Sequence, residues 1–420
     1  MKFFKSNKIT EYWTWFTMPL VLAISFFTIS CNDSDSNLGP EVEDAESAWL
    51  FTIESETPGG DIINYMDVVS EMPSNADLSG AVEIGTNATI KSFGDYVYTV
   101  SSGSSTITKW KVDKSTLDLS VEGILSYASS GIGFTQTNVF FSESQAYLSD
   151  LIQGTILEWN PSTMKITSVH NVDPVIASFP PNLDAWQGNG YVINEKVFWN
   201  IRFDQETCCE SEFPTDGATI GVFDTATGSV EYKRDARLFI ADNIPITDEH
   251  GTMYVQPSRM NDMYLNYFNI DDSLFPSPFT MLKLDQTGNF DPNFNLNLGD
   301  ALPMNWYGRA SFIYSDNIVF TSAAFDWEDS FDAAWDFWGV EEYYSNVSVN
   351  MTTKEVVPFT AFSGYESVYT VGTFGGNPYF VAYTPGYGST VLLRQNSVSD
   401  FTEISSTDEG NLFLVVEKMW

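Results

Sequence analysis

Six side chains, spread over about a third of the chain, carry the chemistry from which a binding site could be built: Trp186, Arg202, His250, Trp306, Arg309 and Trp327. The sequence has 56 acidic and only 19 basic side chains among 420 residues, so each cation is notable. Arg202, His250 and Arg309 could hold an anionic or polar group through charge-assisted hydrogen bonds. The three indoles offer flat apolar faces. Against this, a single Arg more often forms an internal ion pair, here with one of the many acids, and a lone His is more often structural than catalytic. His170, near a strand end, is a weaker candidate of the same kind.

A seventh residue carries a different chemistry. Lys2, Lys5 and Lys8 precede a mostly apolar run from Trp13 to Ser30, and Thr28-Ile29-Ser30-Cys31 follows. Basic start, apolar stretch, small residue, then Cys is the order of a bacterial lipoprotein signal, with Thr28 where Leu is usual. The expectation is that residues 1–30 are removed and Cys31 becomes the acylated N-terminus. The competing reading is an uncleaved membrane anchor, since the run is nearly long enough to span a bilayer. Residues 31–46 are polar and acidic, as expected of a flexible tether. Their acidic start resembles the export signal that sends lipoproteins of the Bacteroidota to the cell surface.

Without residues 1–30 the chain keeps 16 basic and 55 acidic side chains, a formal charge of −39. Such a field disfavours nucleic acid and anionic membranes as partners and favours solubility. Cys208 and Cys209 are adjacent, so a bridge between them would strain the intervening peptide. Two Cys and two His lack the spacing of a zinc site. Clustered carboxylates could take calcium, but no recognisable loop places it. No nucleophile elbow, metalloprotease helix or phosphate-binding glycine loop is present, so no catalytic residue is assigned.

The elements that must position the six residues repeat along residues 47–420. Short apolar strands end in Asp or Asn at Asp67, Asp113, Asn160, Asp224, Asp285, Asn350 and Asn396. Each suits the first position of a tight turn, where its side chain bonds the backbone two residues on. An alternating strand precedes each turn, beginning near Trp49, Tyr96, Ala146, Val197, Met263, Ile318 and Tyr379. Self-similarity at this period, with short strands throughout, predicts a seven-bladed β-propeller of four-stranded blades. An open β-solenoid or two sandwiches are the alternatives. The first unit lacks its strand A, and an orphan strand, residues 412–417, follows the last. Pairing the two would close the ring and remove its open edges.

With this strand order the B–C and D–A connections share one face. Three B–C connections are enlarged: Arg202 to Gly217, Asn269 to Pro278, and Ala323 to Tyr344, which holds Trp327. Residues 184–188, 248–251 and 305–309 are expected as D–A loops on the same face. The Cys31 signal, the seven turns and the strand closure resemble bacterial propeller lipoproteins found beside TonB-dependent receptors, some linked to siderophore uptake. The resemblance implies a lipid-anchored, surface-exposed outer-membrane protein that assists nutrient or iron-siderophore uptake, with such a receptor as partner. It transfers no catalytic residue. Two other classes stay open: a propeller lyase or hydrolase acting on glycans, and a purely structural interaction propeller.

Overall fold

The computed structural model describes residues 45–57, 62–86, 88–100, 104–132, 138–175, 183–205, 217–238, 241, 246–247, 252–257, 280–298, 306–307, 311–312, 317–323, 344–397 and 400–420. Residues 43–420 form one compact unit. Cys31, residues 32–44 of the expected tether and the adjacent cysteines lie outside the described residues.

Seven sheets make up the unit, each a meander of neighbouring antiparallel strands. Blade 2 is representative, with A, B, C and D as Thr89–Phe93, Tyr96–Val100, Thr106–Val112 and Leu119–Ser126. Its strand B is buried on both faces after its first residue, whereas its strand D is largely exposed. That gradient follows from the packing. Each sheet is covered on both sides by its neighbours near the ring's interior and by water at its rim. β-Branched and aromatic residues fill the inner strands accordingly.

The hydrophobic core is divided among the seams between blades. Tyr98, Leu125, Leu148 and Trp159 pack between blades 2 and 3, while Tyr147, Leu151, Trp199 and Phe223 pack between blades 3 and 4. Equivalent clusters fill the other five seams, including the one between the last blade and the first. The A strands of blades 3 and 4, and those of blades 5, 6, 7 and 1 in turn, touch, which makes them the inner strands. The chain is a seven-bladed β-propeller, as its repeats predict.

Closure takes place in blade 1. Asn411–Lys418 supplies strand A and pairs antiparallel with Trp49–Glu56, strand B. A second latch was not foreseen. Asn75–Ala76, in the C–D connection of blade 1, pairs parallel with Ser406 and Thr407 on the outer strand of blade 7. Asn75 Nδ2 also donates to Asp408 Oδ1 at 2.9 Å. The latch covers part of an edge that would otherwise present unpaired backbone groups.

Five of the seven expected turns form, four of them with the bond two residues on. Asp113, Asp224 and Asn350 each accept backbone N–H groups two and three residues on. Asn160 accepts from Thr163, and Asp285 from Thr287 and Asn289. Two differ. Asp67 lies within strand Ile62–Val69 and accepts the N–H of Val68, so the chain turns later. Asn396 bonds the side chains of Asp400 and Thr402 across the hairpin instead.

Strand B of blade 5 is Met253–Val255, ten residues before the expected start at Met263. Both stretches begin Met-Tyr and alternate, so local pattern cannot separate them. The pairing partner decides: Met253, Tyr254 and Val255 align with Leu284, Lys283 and Leu282 of strand C. Met253 and Val255 bury in the seam with blade 4. Residue 263 lies outside the described residues.

Candidate functional site

The B–C connections separate the blades into two groups. In blades 1, 2, 3 and 7 they take five, five, four and six residues, whereas those of blades 4, 5 and 6 span residues 206–217, 256–279 and 324–343. Among the described strands, B and C are therefore furthest apart in sequence in the three neighbouring blades expected to carry enlarged connections; residues 206–216, 258–279 and 324–343 lie outside the described residues. Insertions of this size inside compact repeats are where function concentrates. Trp327 falls in the third insertion, outside the described residues.

Blade 4 carries the best-defined part of this face. Its strand A, Leu183–Ile193, and strand B, Lys196–Gln205, pair along their whole length. Among the described residues strand C pairs with strand B from Lys196 to Ile201. The last four pairs of strands A and B, Trp186 with Arg202 through Leu183 with Gln205, form a two-stranded ribbon beyond that pairing. Trp186 and Arg202 are direct register partners, and Asp184 and Asp204 are partners two steps further out. Residues 184–188 are thus strand rather than the expected loop. A run such as Asp-Ala-Trp-Gln-Gly lacks strand propensity, and only the pairing with Arg202–Asp204 makes it a strand.

Gln187 roots the ribbon. It is buried, its Oε1 accepts the N–H of Leu151 at 2.8 Å, and its Nε2 donates to Ser149 Oγ at 2.6 Å. Both partners belong to blade 3, so one side chain ties the ribbon's base to its neighbour. Just beyond it the register shifts between Gln187 and Gly190. A Cβ at Gly190 would stand 2.3 Å from Val139 Cγ2 and 2.6 Å from Trp199 Nε1, so the bulge passes where only glycine fits.

Blade 6 repeats part of the arrangement. Trp306 opens its strand A and pairs with Ala323, the last residue of strand B before the third insertion. Trp306 and the Trp186–Arg202 pair therefore stand at the same end of blades 6 and 4. Arg309 lies outside the described residues. So does His250; the described strands on either side of it, Ile246–Thr247 and Met253–Val255, pair antiparallel as strands A and B of blade 5.

His170 has a structural role. Its Nε2 lies 3.4 Å from Glu158 Oε2, and its ring meets Phe223 edge-on at 5.3 Å. It fills the space beside Gly228, where a Cβ would stand 2.8 Å from His170 Nδ1. Sequence reasoning passed over Glu366, a fully buried carboxylate just before strand A of blade 7. Its Oε2 accepts the N–H of Gly386 at 2.9 Å and fixes the B–C connection of that blade on the loop-rich face.

Among the described residues no group of three or more His, Cys, Asp or Glu is placed to hold a metal ion. No described helix is long and apolar enough to cross a membrane. A shallow hollow lined by Ile193, Met253, Lys283 and Gln286 opens at the A–B and C–D end, away from the candidate residues.

No family model matches the sequence, and no curated protein is similar to it. Similar solved structures include a protein of Bacteroides fragilis provisionally named 6-phosphogluconolactonase, with TM-score 0.49, 8% identity, and 89% of this chain and 98% of that one covered. Another, provisionally given the same name, comes from Bacteroides uniformis, with TM-score 0.49, 9% identity and coverages of 89% and 99%. A Lactobacillus plantarum protein has TM-score 0.46, 10% identity and coverages of 89% and 99%. Likenesses this distant transfer neither residue nor activity. The propeller assignment rests on the sheets, the seam cores and the closure.

Proposed function

We propose that the chain is a lipid-anchored outer-membrane propeller exposed at the cell surface, which binds a ligand or partner across the B–C and D–A face of blades 4 to 6. Its role is accessory to nutrient uptake, with a ferric siderophore as the ligand and a TonB-dependent receptor as the partner. The observation that carries the binding face is the blade 4 ribbon, where Trp186 stands opposite Arg202 beside three enlarged connections. An indole and a guanidinium in one register position suit a ligand with a flat apolar part and an anionic or polar part. The basic start, apolar run and Cys31 support the anchor.

Binding to the native state raises apparent stability. Thermal melting of purified residues 43–420 with ferric siderophores, metal ions and oligosaccharides therefore tests the reading. A siderophore-dependent rise in Tm that is lost in Trp186→Ala supports it. Stabilisation by oligosaccharides alone would favour the glycan class instead, for which Trp186 and Trp306 would serve as stacking platforms. For the anchor, Cys31→Ala should leave the protein unprocessed and poorly retained in membrane fractions. A variant processed and retained like the wild type removes the lipoprotein reading.

A further inference from the structure

The chain enters the propeller at the end opposite the enlarged connections. The Ala45 N–H donates to Lys114 O at 2.8 Å, and Ala45 O accepts from Trp420 Nε1 at 3.2 Å. Lys114 lies in the C–D connection of blade 2, and Trp420 follows strand A of blade 1. Both therefore belong to the A–B and C–D end. Ala48 is held there from both sides, donating to Trp420 O at 3.3 Å and accepting from Met419 N at 2.9 Å. The Lys114 ammonium lies 5.3 Å from the Trp420 ring centre and closes the junction. The entry point is thus fixed by backbone bonds to two blades.

We propose that the A–B and C–D end of the propeller is its membrane-facing surface, and that the B–C and D–A face with the Trp186–Arg202 ribbon points away from the bilayer. The inference rests on the acylation of Cys31 proposed above. Thirteen residues, 32–44, separate Cys31 from Ala45. A random-coil chain of that length has a root-mean-square reach of about 20 Å and a fully extended reach of about 45 Å. A strand of eight residues alone spans roughly 27 Å. Bringing the far face to the bilayer would stretch the tether toward its limit past the height of a blade, and extension costs chain entropy. Placing the near end at the lipid avoids that cost. A partner must then approach the ribbon from the solvent side, or reach over the propeller from a neighbouring membrane protein.

The test uses mature protein, residues 31–420, with Cys208→Ser and Cys209→Ser so that Cys31 is the sole thiol. Coupling that thiol to maleimide lipid in phosphatidylcholine vesicles supplies an anchor whether or not cells acylate the residue. Donor dyes are attached at Ala226→azidophenylalanine, in the C–D connection of blade 4, or at Ser104→azidophenylalanine, in the B–C connection of blade 2; both residues are exposed. Energy transfer to rhodamine headgroups should be at least twofold greater from position 226. Equal transfer, or more from position 104, overturns the orientation. Failure of the Cys31→Ala experiment in cells would instead remove the anchor while leaving this geometric result intact, so the two readings fail separately.

Discussion

Thr390 Oγ1 accepts the backbone N–H of Phe413 at 2.7 Å, across the seam where the two ends of the chain close the ring. The bond sits at a bulge. Register between the closing strand and strand Trp49–Glu56 shifts between Thr52 and Ile53, leaving Leu414 without a partner. Thr52 Oγ1 takes the N–H of Val415 at 3.0 Å. The hydroxyl of Tyr383 reaches Phe413 O at 3.2 Å, and that of Tyr369 reaches Leu414 O at 3.3 Å. Backbone groups freed by the bulge are thus satisfied by side chains from blades 1 and 7.

Thr390→Val should therefore destabilise the whole propeller by about 1–3 kcal/mol, the cost of leaving a buried donor unpaired. Thr390→Ser should recover most of the loss. The urea midpoint reads both. A midpoint unchanged in Thr390→Val would show that the bulge finds another acceptor.

Deleting residues 411–420 should do more. Phe413 and Val416 are buried in the seam. Burying side chains of this size stabilises by roughly 1.5–3 kcal/mol each, against a total of about 5–15 for a domain. The truncated chain should lose cooperative unfolding by calorimetry. A melt like that of the full chain would mean the Asn75–Ala76 latch closes the ring without the terminal strand.

Acid should weaken the fold through its turns. Desolvation is the largest single influence on the Asp285 carboxyl and raises it, but the hydrogen bonds from Thr287 and Asn289 together outweigh it and bring its pKa down to about 2. Asp113 is lowered chiefly by the Ser115 hydroxyl and Asp224 by the Thr227 N–H. A carboxyl held below its unfolded value of about 3.9 stabilises above that pH and loses its contribution as pH falls toward the folded value. Asp67 acts in the opposite sense, since burial raises it. The urea midpoint should fall between pH 4 and 2, and fall less in Asp113→Asn/Asp224→Asn/Asp285→Asn. Asn already occupies the same turn position at 160 and 350, so this variant should fold. An equal fall in both proteins would assign acid sensitivity elsewhere.

Gln187→Leu should loosen the ribbon, because the Leu151 N–H then loses its acceptor. A loss of about 1–3 kcal/mol is expected. Faster hydrogen exchange at residues 183–187 and 201–205 should accompany it. Exchange unchanged there would mean that strand pairing alone holds the ribbon.

The repeat and the closing strand were legible in the sequence because turn chemistry and alternation are local signals. Asp113, Asn160 and Asp224 announce their turns through the Thr or Ser that follows. Strand A of blade 4 was not legible: Trp186 and Gln187 read as loop until Arg202 and Ile201 are set beside them. Blade 5 fails for the same reason, since choosing Met253 over Met263 needs the partner strand. Another regularity was visible but went unused: Thr106, Thr155, Thr219, Thr280 and Thr390 stand at or next to the start of strand C in five blades. The latch at Asn75–Ala76, only two residues long, has no periodicity to betray it.

The binding face can be tested at the pair the structure aligns. Trp186 and Arg202 stand opposite each other just beyond the described pairing of strands B and C. Trp186→Ala and Arg202→Ala should each weaken ligand binding by about tenfold or more, since interface anchors of these types cost upwards of about 1–2 kcal/mol when truncated. If they grip one ligand together, the double variant should bind only slightly worse than the poorer single one, because contacting residues are not additive. Trp306→Ala, two blades away, should add its full effect to either. Melting temperatures should stay nearly constant, since the described pairing of strand C with strand B ends at Ile201, one position short of this pair. Calorimetric titration reads the affinities. If all three variants bind as the wild type does and Lys283→Ala, beside the hollow at the other end, does not, the site belongs to the A–B and C–D surface.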